Sequence, residues 1–406
     1  MAIDRSHAAP RKERIDEITI LRAFAFFAIV LQHCIGEYIY RPDIPAEQAI
    51  FLGMIYHFTR YGTLTFVFLS AVILFYNYDY TVPYGNFLKR RAAAVLAPFA
   101  IWTVIYGIYT LRGQLLAPEG WRLLASQFIT PTYGYQLWFV LMIFQLYLIF
   151  PWLDRGARAI GRRIRSRAAG QGQIERRVVL LLAALAAAYA GLMYWSYSVA
   201  PAWDAPAWLR PLLGHRTMLL PFYFFYIALG IVCAWHVQRW RDLMRRSVPW
   251  SLLLFIIFYT YAGYRLLEAG VAPINLNIST YLKPSVFLLI LAQLPLMYAL
   301  ALYVCRWKGR AYRILHKIGT YSFGGYLVHA LVLGQIARFT RETPLAGMHA
   351  ALTLMTWAAV AALSIGITML LDRLPFGIWL TGPMGRRQAS SAKQQKGSNP
   401  APLPYR

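Results

Sequence analysis

The sequence predicts an all-α, polytopic integral membrane protein of about ten transmembrane helices with both termini in the cytoplasm. Three observations predict it. Of 406 residues, 59% are hydrophobic and 14% charged, a balance outside the range of soluble globular domains and of disordered chains. The apolar residues lie in continuous runs of roughly the 20 residues that cross a bilayer. The segments between runs that would share a side with the N-terminus carry 30 of the 41 Lys and Arg, against ten opposite. That bias places both termini inside. It also accounts for the net charge of +25 without a nucleic-acid partner.

In chain order the runs lie at about 18–40, 57–78, 92–111, 135–153, 178–199, 216–236, 248–267, 279–303, 318–337 and 349–371. The first is too long for a cleaved signal and lacks a small-residue cleavage site, so it reads as a retained helix. Ala2 follows Met1 where myristoylation needs Gly. The division is a cytoplasmic segment 1–17, a membrane domain 18–371 and a basic cytoplasmic tail 372–406, polar and disordered from about 384. The strongest basic block, Arg155 to Arg177, reads as a loop that fixes topology beside anionic lipid. Tyr38, Tyr40, Tyr76, Tyr78, Tyr80, Trp102, Trp195, Tyr197, Trp203 and Trp208 lie near run ends, as interfacial anchors do. Arg60 counts among the charges of the opposite side.

Cys34, Cys233 and Cys305 show no CxxC spacing, so they read as packing residues and not as a disulfide framework or zinc site. Dinucleotide-binding, Walker and HExxH motifs are missing, which leaves nucleotide hydrolysis and zinc proteolysis unsupported. No internal repeat supports an inverted-repeat transporter.

Ionisable groups inside a bilayer are expensive, so each is a candidate for function. In ILRAFAFFAIVLQHCIGEYIY, Arg22 and His33 are 11 residues apart, which is about 20° from three full turns and a rise of roughly 16 Å. They share a helix face. Glu37, four residues after His33, shares it too and is placed to accept an imidazole N–H. A cation near the cytoplasmic end with a titratable group deeper in forms a path from a cytoplasmic anion to an intramembrane centre. The alternative is a snorkelling Arg and a His satisfied by a neighbouring helix. In IGTYSFGGYLVHALVLGQI, Ser322, Tyr326 and His329 share a face, and Gly324 and Gly325 permit close approach. Ser70 is either a pocket residue or bonded to its own helix. Lys89, Arg90 and Arg91 could hold phosphates at the mouth of the third run, or serve only as positive-inside charges.

Over roughly residues 14–380 these pieces resemble acyltransferase family 3, integral membrane proteins that move acetyl or other short acyl groups onto cell-surface carbohydrates. The first helix carries the most specific match, a basic residue, ten residues and a His, supplied by Arg22 and His33 in LRAFAFFAIVLQH. FVFLSAVILFY, FLKRRAAAVLAPFAIW, QLWFVLMIFQLYLIFPWL with Trp138, FYFFYIALGIVCAWH and YSFGGYLVHALVL resemble further family segments in the same order. Departures are Ala71 where Gly is common, Gln136 where His often precedes Leu-Trp, and Ala93 and Ala94 in place of an Arg-x-x-Arg pair.

The resemblance implies a bacterial inner-membrane enzyme using cytoplasmic acyl-CoA, with acetyl-CoA foremost, and no metal. Its partners would be a polysaccharide or lipid-linked glycan acceptor, membrane lipids and glycan-synthesis machinery. The length implies a stand-alone membrane unit without a fused hydrolase-like domain. Acyl transfer needs a base, cations for the CoA phosphates and donors for a tetrahedral oxyanion. In those roles His33 is the base with Glu37 behind it, Arg22 meets the thioester or pantetheine end, and Lys89, Arg90 and Arg91 hold the nucleotide phosphates. Ser70, Trp138, Ser322, Tyr326 and His329 line the pocket. A covalent acyl-His intermediate, a non-enzymatic glycan exporter of the same fold and a scaffold for a glycan synthase are the competing readings.

Overall fold

Asp16 and Glu17 open the first helix, where carboxylates complement the positive end of the helix dipole, and apolar sequence carries it on as α1 (Asp16–Tyr38). The computed structural model describes residues 13–203, 206–270, 274–280, 282–341, 344–345 and 347–383. The expected disordered tail from about 384 and most of the N-terminal segment lie outside the described residues. Pro45 precedes α2 (Ala46–Thr59), and only Arg60 separates it from α3 (Tyr61–Asn77). Pro83 precedes α4 (Tyr84–Leu111), and Pro118 begins the short α5 (Pro118–Ser126), both suited to a helix start that needs no N–H. Then come α6 (Trp138–Ser166), α7 (Gln171–Tyr194), α8 (Leu209–Gly214), α9 (Phe224–Trp235) and α10 (Val237–Glu268). The chain continues through α11 (Pro284–Trp307), α12 (Arg310–Thr340), α13 (His349–Leu371) and α14 (Gly377–Thr381).

Among the described residues, eight helical stretches are long and apolar enough to span a membrane: α1, the α2–α3 pair, α4, α6, α7, α10, α11 and α13. The other two expected runs take different forms. The run at 216–236 becomes the 12-residue α9, and the run at 318–337 lies inside the 31-residue α12, where its own Gly, Tyr, Thr, Ser, His and Gln lower its hydropathy.

Three local expectations are corrected. The Arg155–Arg177 block is not a loop: α6 runs to Ser166 and α7 begins at Gln171, because Arg, Ala and Ile favour helix and Arg158 bonds back to Asp154 at 2.7 Å. Arg60 is not an external loop charge but is buried between α2 and α3, over the Tyr56 ring at 4.2 Å. Tyr38 and Trp102 are not lipid-facing anchors. Both are buried, the Tyr38 hydroxyl on Thr356 at 2.8 Å and the Trp102 N–H on the Leu380 carbonyl at 2.8 Å. Tyr40, Tyr80, Trp203 and Trp208 do remain exposed.

Helix α1 lies between two apolar cores, one shared with α3, α6, α9 and α11 and the other with α4, α12 and α13. It runs parallel to α12: Gly319 packs on Thr19, Gly325 on Phe26, His329 on His33 and Arg341 on Glu37. The peripheral α7 and α10 leave Val179, Leu180, Leu252 to Leu254 and Ile256 outward. The three cysteines are unpaired, with Cys34 and Cys233 buried in the cores.

The segments assigned to one side by charge do meet. Glu13 and Glu17 bind Arg241, Glu175 binds Arg239, and Arg14 bonds to His316. At the opposite end Arg41 donates to the Thr340 carbonyl, His349 meets Asp43, and the Gln48 side chain reaches Gly347 and Ala350.

Candidate active site

Arg22 and His33 lie on one face of α1, as the helical period requires, and both are partly exposed although the helix is otherwise largely buried. The neighbouring helices complete two ends of a single interior wall. Around Arg22 the partner is Tyr147 of α6, which lies within electrostatic reach of both Arg22 and Arg91. The Arg91 guanidinium lies over the rings of Tyr78 at 4.8 Å, Tyr147 at 5.2 Å and Phe87 at 5.7 Å. Lys89 and Arg90 are exposed instead, and Arg90 bonds back to the Asn86 carbonyl. The basic triplet therefore divides, with one cation turned inward toward Arg22 and two held in solvent.

Between the two ends Phe66 meets Phe139 edge-on at 6.2 Å, and Tyr326 closes on Phe139 at 5.9 Å. Ser70 stands one turn from Phe66 on α3, partly exposed. Among the described residues its hydroxyl makes no hydrogen bond, not even to its own helix. Trp138 is partly exposed at the start of α6, its ring 5.9 Å from Phe139.

At the far end the His33 ring lies 4.8 Å from Tyr135 and 5.3 Å from His329. His329 is buried, with Nδ1 2.6 Å from the Tyr326 carbonyl. The Tyr326 hydroxyl donates to the Gln136 carbonyl, which ties α12 to the entry of α6. Gln136, where related sequences often have His, is thus part of the wall. Its Nε2 donates to the Tyr106 hydroxyl at 2.8 Å. Tyr106 in turn donates to the Leu327 carbonyl and accepts from the Leu331 N–H, so its hydroxyl sits between two groups that would otherwise bond each other in α12.

Two expected members stand elsewhere. Ser322 is fully buried and donates to the carbonyl of Gly319 at 2.9 Å, so it lines no open space. The Glu37 carboxylate is held by Arg341 at 2.9 and 3.4 Å, and among the described residues no hydrogen bond joins it to His33. A guanidinium fork matches a carboxylate better than one imidazole N–H does. It thus wins the contact. Tyr106, Tyr135 and Arg60, which reaches His33 electrostatically, were not singled out from the sequence. Tyr106 and Tyr135 sit in aromatic-rich runs with nothing in the local pattern to mark them.

A family model for an acyltransferase domain matches residues 15–373, nearly the whole chain, with Arg22, His33 and His329 inside the matched range. The chain belongs to acyltransferase family 3. It is a multi-pass membrane acyltransferase acting on groups other than amino-acyl groups. No curated protein and no solved structure gives a match. As an acyltransferase it requires an acyl donor and an acceptor. The two ends of the α1 face, one cationic and one imidazole-bearing, are the candidate places for them.

Proposed function

We propose that this acyltransferase carries an acyl group, acetyl foremost, from cytoplasmic acyl-CoA to a hydroxyl of a surface polysaccharide or lipid-linked glycan, in the cytoplasmic membrane of a bacterium. The observation that carries the reading is the single α1 face, with Arg22 beside Tyr147 and Arg91 at one end and His33 beside Tyr135 and His329 at the other. The charge bias of the connecting segments supports cytoplasmic termini, with the Arg22 end facing the donor. Lys89 and Arg90, exposed at that mouth, meet the CoA phosphates. Arg91 and Arg22 lead the pantetheine arm inward, and the thioester reaches the level of His33.

There His33 takes the proton of the acceptor hydroxyl as the hydroxyl oxygen bonds to the thioester carbon. The tetrahedral intermediate collapses with cleavage of the C–S bond, and the CoA thiolate recovers the proton from His33. Tyr135 supplies an O–H donor beside His33 for the developing oxyanion. Ser70, Trp138 and Tyr326 line the passage.

The test is mass spectrometry of alkali-labile acyl groups on the surface glycan of cells lacking this chain, complemented with the intact protein or with His33→Ala at matched membrane levels. Acylation should return with the intact chain and not with the variant. Full restoration by His33→Ala would make His33 structural. Loss of exported glycan with no change in acylation would instead favour the exporter.

A further inference from the structure

A histidine base works best when a second group fixes which ring nitrogen is bare. The carboxylate expected to do this, Glu37, is occupied by Arg341. The ring that does lie against His33 is His329, 5.3 Å between centroids and tilted by 33°. Its protonation pattern follows from one contact. Nδ1 faces the carbonyl oxygen of Tyr326, and a carbonyl only accepts, so Nδ1 carries the proton and Nε2 presents a lone pair. That Nε2 is buried and has no hydrogen-bond partner.

A buried acceptor left unpaired is costly, so such an atom needs a reason. The fold around it is built, not loose. The Tyr106 hydroxyl is inserted between Leu327 and Leu331, in the turn of α12 that carries His329. Tyr326, whose carbonyl orients the ring, is itself tied to Gln136. Two imidazoles joined by an N–H···N bond of about 3 Å have centroids about 5 Å apart, so the observed spacing admits such a bond, which the two rings as they stand do not form. His33 makes no hydrogen bond among the described residues and has an N–H to give.

We propose that His329 is the positioning residue for His33: its bare Nε2 accepts the His33 N–H, which leaves the other His33 nitrogen unprotonated and facing the acceptor hydroxyl. The inference rests on the acyl-transfer reading above. His329 keeps its own proton on Nδ1 throughout. Its Nε2 bond to His33 strengthens when His33 becomes an imidazolium after taking the hydroxyl proton, and relaxes when the CoA thiolate removes that proton. The other titratable or charged groups around the pair are Tyr135, Tyr106 and Tyr326, with Arg60, Cys34 and Glu37 farther out.

The experiment uses membrane vesicles bearing the full chain, acetyl-CoA labelled in its acetyl group as donor, and the vesicles' own glycan as acceptor. Initial rates of alkali-labile incorporation are followed against pH and donor concentration for the intact chain, His33→Ala, His329→Phe, His329→Asn and His329→Gln. His329→Phe should lower kcat by about 10²-fold or more with KM for acetyl-CoA unchanged. Gln, whose amide oxygen reaches the Nε2 position, should recover to within about tenfold of the intact rate, whereas Asn, which keeps a donor for Tyr326 but ends short of His33, should not. The midpoint of the acid limb should move in His329→Gln, because the first proton taken up by the intact chain is stabilised by the second ring and that taken up by the variant by an amide oxygen.

Equal rates for Asn and Gln, or an unchanged acid limb, would make His329 a packing residue and overturn the inference. The Asn and Gln pair decides the matter if the Phe variant fails to reach the membrane. Absence of acetyl transfer by the intact chain, or full activity of His33→Ala, is a different result: it removes the acyl-transfer reading itself, and the positioning role with it.

Discussion

At Glu37 the choice between two partners separates structure from catalysis. Its carboxylate has Arg341 on one side and His33 one turn back along α1, and the guanidinium holds both oxygens. The pair is partly exposed, with 23% of the Glu37 side chain and 60% of Arg341 accessible, so it contributes on the order of 1 kcal/mol or less. Glu37→Gln should therefore shift thermal unfolding in detergent only slightly and leave glycan acylation intact. Loss of acylation at unchanged stability would return Glu37 to a role at His33. Gln136 makes the opposite point. Its side chain is buried on Tyr106, so a departure from the family pattern falls on a residue that shapes the site.

Between elements, α1 and α12 approach closely at Gly319. A Cβ on Gly319 would run into the carbonyl oxygen of Thr19, a backbone atom that cannot rotate away. Gly319→Ala should force the two helices apart at a cost of about 1–3 kcal/mol, measurable as a lowered unfolding temperature. Because His33 and His329 ride on the same two helices, acyl transfer should fall as well. Beside Thr19, in the first turn of α1, Glu17 is buried and receives Arg241 at 2.6 and 3.1 Å and the Tyr298 hydroxyl at 3.1 Å. That cluster joins α1 to α10 and α11. Glu17→Ala leaves Arg241 only the exposed Glu13 carboxylate and strands the buried Tyr298 hydroxyl, at a cost of about 1–3 kcal/mol. Unfolding in detergent at reduced temperature, or failure of the variant to accumulate in membranes, is the expected result. Wild-type stability would show that water replaces the carboxylate.

On the scale of the whole molecule, two polar clamps close the ends of the bundle. The one in which the α1–α2 connection grips the start of α13 carries a pH dependence. The Leu345 N–H and then His349 hold the Asp43 carboxyl below the usual carboxylate range. A group whose folded value is depressed adds stability above its unfolded value and loses it as pH falls through the folded one. The clamp should therefore hold at neutral pH and loosen only below about pH 4. Thermal unfolding between pH 3 and 7 should show that decline in the intact chain and a smaller one in Asp43→Asn. Equal declines would place the acid-labile group elsewhere.

The membrane character, the approximate spans and the Arg22–His33 face were legible from residues alone. Bilayer thickness dictates the length of an apolar run, and the helical pitch fixes which residues of one helix share a side. Family membership was legible for the same reason, since its most specific motif lies within a single helix. The two expected runs that are not among the eight helices differ from them on local grounds, one being short as a helix and the other rich in Gly and polar side chains. What the sequence by itself could not determine is which groups meet across helices. Arg341 takes Glu37 from 304 residues away, Arg241 takes Glu17 from 224, and Tyr106 enters the turn of α12 that brings His329 to His33. Such pairings depend on how helices pack side by side, and no periodicity along a chain encodes the partner opposite. The tertiary structure alone decided that the imidazole of His33 faces a second imidazole and not a carboxylate.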